Sequence, residues 1–253
     1  MRRFVTLDRP ILTAMVQAKS IERTKKLIRL GLDGGADAFG IQLERLKTEE
    51  RTPEKLRELF ACTEGKPVYV TCYRSCENEQ KSDDKLAEEL IAAAECGGAL
   101  IDVMGDMFDK TPGELTYDAA AVEKQKKLIS RIHELGADVL ISSHVLKFTP
   151  ESEVLAMARE QHSRGADFAK IVTAADTVSE LCENFKISAE LAKLPYMSLF
   201  LCGGAQSYRH RRSAPFMSNS MFLCVPERDE LATAVQPLLS EAKMLVDIMQ
   251  KGV

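Results

Sequence analysis

A lysine interrupts an apolar strand pattern in GADFAKIVTAAD (165–176), where Lys170 stands among Phe168, Ala169, Ile171 and Val172. An ammonium is among the groups least tolerated by an apolar core. Desolvation favours the neutral, nucleophilic amine, so a strand lysine facing a cleft is equipped for Schiff-base chemistry with a ketone or aldehyde. Two other readings stand beside it: a lysine whose head reaches water along its stem, or a buried ion pair, for which Asp102 is the candidate. His144 bears on the choice. It ends the preceding strand pattern, after ADVLISS (137–143). Neighbouring strands lie ~5 Å apart, so this imidazole can move protons beside an imine on Lys170.

A second group of residues suits an anion. Cys202-Gly203-Gly204 is followed by Tyr208-Arg209-His210-Arg211-Arg212. Glycines and cations after a late strand make a site for a carboxylate or phosphate; the alternative is a solvated basic loop. Arg74 ends another strand pattern, after Thr71-Cys72-Tyr73, and offers a further cation. His133 and His162 fall on charged helical patterns and read as solvated. No histidine pair has zinc-ligand spacing and there is no HExxH arrangement, so neither a metal nor an organic cofactor is expected.

Such side chains need a frame. Short apolar runs recur at 11–16, 38–43, 67–73, 99–104, 137–143, 168–173, 196–201 and 220–225, with amphipathic helical patterns between them. Ser82-Asp83, Thr149-Pro150 and Thr177 stand where helices start, and Gly34-Gly35, Gly136 and Gly165 where they end. Gly-Ala-Asp recurs before three of the strands, at 35–37, 136–138 and 165–167. The pattern implies a repeating βα unit and an α/β fold, a (β/α)₈ TIM barrel with residues 1–253 as a single domain. A doubly wound open sheet is the runner-up, weakened by the absence of GxGxxG after the first strand. The seventh unit, GGAQSYRHRRSAPF, reads as barely helical, and the last helix as covering 228–249.

Composition limits the partners. With 253 residues, 45% of them hydrophobic and 28% charged, the chain can bury a substantial core. A net charge of −4 gives no reason to expect nucleic acid or an anionic membrane. MRRFVTLDRP lacks the apolar core of a signal peptide, and no apolar run approaches the ~20 residues that span a bilayer. Seven cysteines, an odd number without CxxC, suggest reduced thiols and a cytoplasmic location.

With these residues placed, the chain resembles type I 3-dehydroquinate dehydratase of the class I aldolase-like superfamily. Ser142-Ser143-His144 followed by Lys147-Phe148-Thr149-Pro150 is similar to the family's S-x-H-x-F-x-x-T-P segment. Gly165 to Ile171 is similar to G-A-D-x-x-K-I, and Val70 to Ser75 to T-x-R-[ST]. The resemblance implies that Lys170 forms the imine, His144 is general base and acid, and Arg74 holds substrate. It puts Gln42, Asn78, Arg209, His210 and Arg211 at or beside the remaining substrate-binding positions. The departures are specific. Gly40 and Gln42 stand where the family has E-x-R, Asn78 where it has glutamate, and Met104 where it has an acid. Cys224-Val225-Pro226 runs into the final helical pattern without the family's S-A-P-G-Q-like loop.

These observations lead to a Schiff-base lyase acting on a small anionic carbonyl substrate, with a homodimer allowed. The named activity is dehydration of 3-dehydroquinate to 3-dehydroshikimate in the shikimate pathway. An aldolase or dehydratase of another anionic or phosphorylated carbonyl compound is the alternative. A catalytically silent barrel that binds a metabolite or protein is the third reading.

Overall fold

The computed structural model describes residue 4, residues 6–218 and residues 220–250. Residues 1–3 and 5, part of the segment read for a signal peptide, lie outside the described residues. The apolar runs form strands β1 (Ile11–Val16), β2 (Ala38–Gln42), β3 (Val68–Thr71), β4 (Leu100–Met104), β5 (Asp138–His144), β6 (Phe168–Ala174), β7 (Met197–Gly203) and β8 (Met221–Cys224). All their pairings are parallel, in the order β7-β6-β5-β4-β3-β2-β1-β8. The sheet thus curls into a nearly closed barrel, as the sequence pattern implied. Helices α1 (Ile21–Asp33), α2 (Pro53–Ala61), α3 (Asp83–Glu95), α4 (Ala119–Glu134), α5 (Glu151–Ser163) and α6 (Val178–Leu191) return the chain between strands.

The Gly-Ala-Asp recurrence has a physical basis. Gly35, Gly136 and Gly165 have φ of +79°, +81° and +107°, which glycine adopts without a Cβ penalty. The alanine that follows is buried in each case. At two of the three sites the aspartate accepts a backbone N–H from the strand before: Asp37 Oδ2 from Leu12 N and Asp167 Oδ2 from Val139 N, both at 2.9 Å. Helix starts follow the sequence at Ser82 and Thr177, the latter with a full capping box. At Thr149-Pro150 the cap residue is Pro150, and no side chain caps the helix.

Two expectations are corrected. The seventh unit does contain helices, α7 (Ser207–Ser213) and α8 (Pro215–Ser218). The last helix, α9, covers only Leu239–Gln250. Between β8 and α9 a loop over 226–238 is held together by Arg228, whose guanidinium donates to the carbonyls of Thr233, Ala234 and Gln236. The chain after β8 therefore does not run straight into the last helix, although the loop it forms carries no S-A-P-G-Q-like sequence.

Side chains at alternate strand positions fill the barrel interior. Ile11, Met15, Tyr69, Leu100, Leu140, Phe168, Val172, Leu199, Leu201 and Leu223 form one buried cluster. The period of two places Gln42, Thr71, Asp102, Ser142, His144 and Lys170 on the same inward face. No helix among the described residues is long and apolar enough to cross a membrane.

Candidate active site

Lys170 is 4% exposed in mid-β6, between Phe168 and Val172 of the interior cluster. Its Nζ lies 3.1 Å from Asp102 Oδ2, and it donates to the hydroxyls of Tyr69 at 3.0 Å and Tyr73 at 2.5 Å. An ammonium has three protons, and three acceptors surround this one. Asp102, itself 1% exposed, also accepts from the hydroxyls of both tyrosines and, at Oδ1, from Ser142 Oγ at 2.5 Å. The lysine is thus not the unpartnered amine that its apolar neighbours suggested: the pair with Asp102 is present, and such a pair is compatible with imine chemistry at the same nitrogen. Burial, and then the Asp102 carboxylate, push both phenols well above their ordinary range, so both remain O–H donors at neutral pH.

His144 ends β5 on the same inward face, one strand from Lys170, and its register partner is Val172. Its Nδ1 is 2.6 Å from Glu114 Oε2, and its ring meets Tyr73 edge-on at 5.3 Å between centroids. A carboxylate only accepts, so the proton sits on Nδ1 and Nε2 is left with the lone pair of a general base. Tyr73 therefore contacts both principal groups.

The loop between β4 and α4 carries Glu114 and is firmly held. Glu114 adopts φ +53°, a conformation costly outside glycine, and its carbonyl accepts from Ser143 Oγ at 2.7 Å. Arg164 donates to Gly105 O, Thr116 O and Gln125 Oε1, while Gln125 donates to Gly105 O and Met107 O. These bonds fix the loop that positions the histidine's partner.

A cavity of about 440 Å³ opens above, at the C-terminal ends of β3 to β5, lined by Tyr73, Arg74, Met104, Lys110, Glu114 and His144 among others. A larger one, about 1180 Å³, lies at the opposite end beside Val68, Ala99 and Asp138. Barrel enzymes do their chemistry at the C-terminal end, and that is where the His144–Glu114 pair is, so the smaller cavity is the relevant one.

The other candidates from the sequence divide. Arg74 lines the cavity, but its guanidinium is paired with Asp83 at 2.6 Å and Asp106 at 2.7 Å. Position 73 continues the inward alternation of Tyr69 and Thr71, so the side chain reaching Lys170 from this segment is Tyr73. Asn78 is fully buried away from the lysine; it accepts from Arg51 and donates to Tyr73 O and Cys72 Sγ, which makes it a structural brace. Gln42 keeps an inward place at the end of β2, opposite Thr71. Arg209 is exposed and bonded to Gln206. His210 is fully buried, stacked on Phe185 and edge-on to Phe200, and desolvation lowers its pKa to about 4. It anchors α7 and does not reach the lysine.

Arg211 differs from both. Its Nε donates to Cys202 O at the end of β7, and burial lowers its pKa to about 10. Among the described residues no carboxylate pairs with it. A desolvated guanidinium without a counter-ion suits a ligand anion.

Glu44, Tyr69, Tyr73 and Glu114 were missed as site residues. Glu44 is a buried carboxylate that accepts from Thr71 Oγ1 at 2.9 Å, and desolvation raises its pKa. The tyrosines were legible only as alternate positions of β3. Glu114 follows Gly113 in a βα loop, the place where barrel function concentrates. Gly40 is explained by packing: a Cβ there would run into Met15 Sδ and crowd the Tyr69 ring. The space of the family's glutamate is thus filled. Among the described residues, no three His, Cys, Asp or Glu side chains gather as a metal site requires.

A family model described as Type I 3-dehydroquinase matches residues 12–251. Several solved structures share the fold. The 3-dehydroquinate dehydratase of Geobacillus kaustophilus HTA426 has 14% identity, covering 96% of this chain and 92% of that one, with a TM-score of 0.80. The type I enzyme of Clostridium difficile, solved with covalent modified comenic acid, has 15% identity over 100% of both chains and a TM-score of 0.79. The enzyme of Aquifex aeolicus VF5 has 17% identity, covering 94% and 98%, at 0.69. No curated protein matches the sequence.

Proposed function

Because the chain belongs to the type I 3-dehydroquinase family, whose members are hydro-lyases working through a Schiff base, we propose that Lys170 forms the imine and that His144 moves the protons. One observation carries the assignment. Lys170 lies inside the barrel one strand from a His144–Glu114 pair, at the C-terminal end where such enzymes work. Nucleophilic attack by Nζ on a ketone and loss of water give an iminium, which acidifies the adjacent C–H. His144 Nε2 takes that proton and returns it to the departing β-hydroxyl, while Glu114 steadies the imidazolium. Water then releases the product and the free lysine.

The reaction of this family is dehydration of 3-dehydroquinate to 3-dehydroshikimate. Arg211 is the cation proposed for the substrate carboxylate, supported by its partly buried position with no carboxylate paired to it among the described residues. Gln42 and the 226–238 loop, where Thr233 and Gln236 bond Gln17, are the polar groups proposed to face the ring hydroxyls. A reducing, cytoplasmic setting is part of the reading, supported by seven free cysteines. A second reading, a different anionic carbonyl substrate, is favoured by Met15 and Tyr69 filling the space around Gly40.

Incubation with 3-dehydroquinate and borohydride, followed by peptide mapping, tests the assignment. A reduced adduct on Lys170 is expected. An adduct on another lysine, or none, would overturn it. With two polyol contacts replaced, kcat/KM for 3-dehydroquinate is expected below the ~10⁴ M⁻¹s⁻¹ that marks the low end for dedicated enzymes. Efficient turnover would favour the first substrate reading over the second.

A further inference from the structure

Tyr73 stands where an incoming carbonyl group must arrive. It lines the 440 Å³ cavity, whereas Lys170 does not, and its hydroxyl lies 2.5 Å from Lys170 Nζ. The same hydroxyl donates to Asp102 Oδ2 at 2.5 Å. Tyr69 makes the same pair of contacts from below but is fully buried and away from the cavity. His144 is turned to a different task, with its Nδ1 bound to Glu114.

A resting ammonium is no nucleophile, so imine formation needs its own acid–base pair beside Nζ. We propose that Tyr73 is a catalytic residue of the imine-forming half-reaction, acting as proton donor to the substrate oxygen, with Asp102 as the base that supplies it. The proposal rests on the assignment of Lys170 as the imine lysine.

The protons balance as follows. Asp102 takes one from the Lys170 ammonium, and the freed lone pair forms the N–C bond while the carbonyl π pair moves to oxygen. That oxygen takes the Tyr73 proton, and the phenolate is refilled from Asp102. The nitrogen of the carbinolamine then gives a second proton to Asp102. It passes through Tyr73 to the hydroxyl, the C–O bond breaks, and water leaves as the nitrogen lone pair closes the C=N bond. The result is an iminium facing an ionised Asp102, with Tyr73 restored and no net proton exchanged. Burial and the Asp102 charge keep the phenol protonated, as a donor requires.

The experiment is rapid-quench borohydride trapping with 3-dehydroquinate, scored by intact mass, on the wild type and on Tyr73→Phe, Tyr69→Phe and His144→Ala. Tyr73→Phe is expected to slow the appearance of the adduct at least tenfold. His144→Ala should form the adduct near the wild-type rate yet turn it over about 10²-fold more slowly or worse. Tyr69→Phe removes a like hydrogen bond from beneath and should cost less than Tyr73→Phe. Thermal unfolding of each variant reads fold loss separately. If Tyr73→Phe fails to fold, Asp102→Asn takes its place with the same tenfold expectation. Adduct formation by Tyr73→Phe at the wild-type rate, or equal losses in the two tyrosine variants, would overturn the proposal. A wild type that gives no adduct at Lys170 would instead overturn the assignment of the lysine, and the proposal with it.

Discussion

Replacing Lys170 with methionine is the natural way to remove the nucleophile, and the apolar strand around it suggests a harmless change of stem. The geometry predicts otherwise. Asp102 is fully buried and would keep its three hydroxyl donors, Tyr69, Tyr73 and Ser142, but lose its only ion-pair partner among the described residues. Breaking a buried pair from one side costs about 3–5 kcal/mol, because the remaining charge is out of water and has lost its counter-charge, which hydroxyl donors replace only in part. For a chain of this size about 1 kcal/mol corresponds to ~2–4 °C, so Lys170→Met should lower Tm by roughly 6–20 °C. Lys170→Met/Asp102→Leu removes both charges and should recover most of that loss while remaining inactive. Thermal and urea unfolding of the wild type, both singles and the double complete a double-mutant cycle. A Lys170→Met variant with wild-type Tm, or a double no better than the single, would show that the pair is not a desolvated unit and would refute the reasoning.

The remaining expectations are local. His144→Ala should lower kcat by about 10²-fold or more with little change in KM, and Glu114→Gln should lower kcat less, because it releases the tautomer without removing the base. Arg211→Ala should weaken binding of an anionic substrate, read as KM or by calorimetry, whereas Arg209→Ala should leave it near wild type. His210, with a pKa lowered to about 4 by burial, is neutral in the folded protein and charged in the unfolded chain below ~6.5. Its contribution is therefore present above pH 6.5 and lost as pH falls towards 4, with about 2 kcal/mol gone by pH 5. His210→Phe should flatten that part of the urea-derived stability profile; an unchanged slope would assign the acid sensitivity elsewhere.

The strands and most helices were legible because each βα unit repeats one local solution: an apolar run, a capped helix, a left-handed glycine and an aspartate on the neighbouring strand. The exceptions arise where local and tertiary forces disagree. RDELATAVQPLL has helical periodicity, but Pro237 within it cannot continue a helix, and Arg228 instead gathers the carbonyls into a loop. SYRHRRS looks like a polar loop, yet the burial of His210 between Phe185 and Phe200 winds it into α7.

The lysine was legible as an anomaly and Asp102 as its candidate partner, but the two tyrosine hydroxyls beside it were not. Asp102 lies 68 residues away in sequence, and the hydrogen-bond register sets Lys170 level with Ser142, and Ser142 level with Met104 and not with Asp102. Only strand tilt, which staggers neighbouring strands around a barrel, brings Asp102 level with Nζ. Matching motif positions one by one finds only part of this segment: counting from Thr71 reaches Arg74, which lines the cavity, while the inward alternation reaches Tyr73. A residue's chemistry can be read from its type, but the group it acts on is set by which face of the strand it occupies and how far that strand is sheared. That is why Lys170 and His144 could be proposed from sequence, whereas Tyr73, which contacts both, could not.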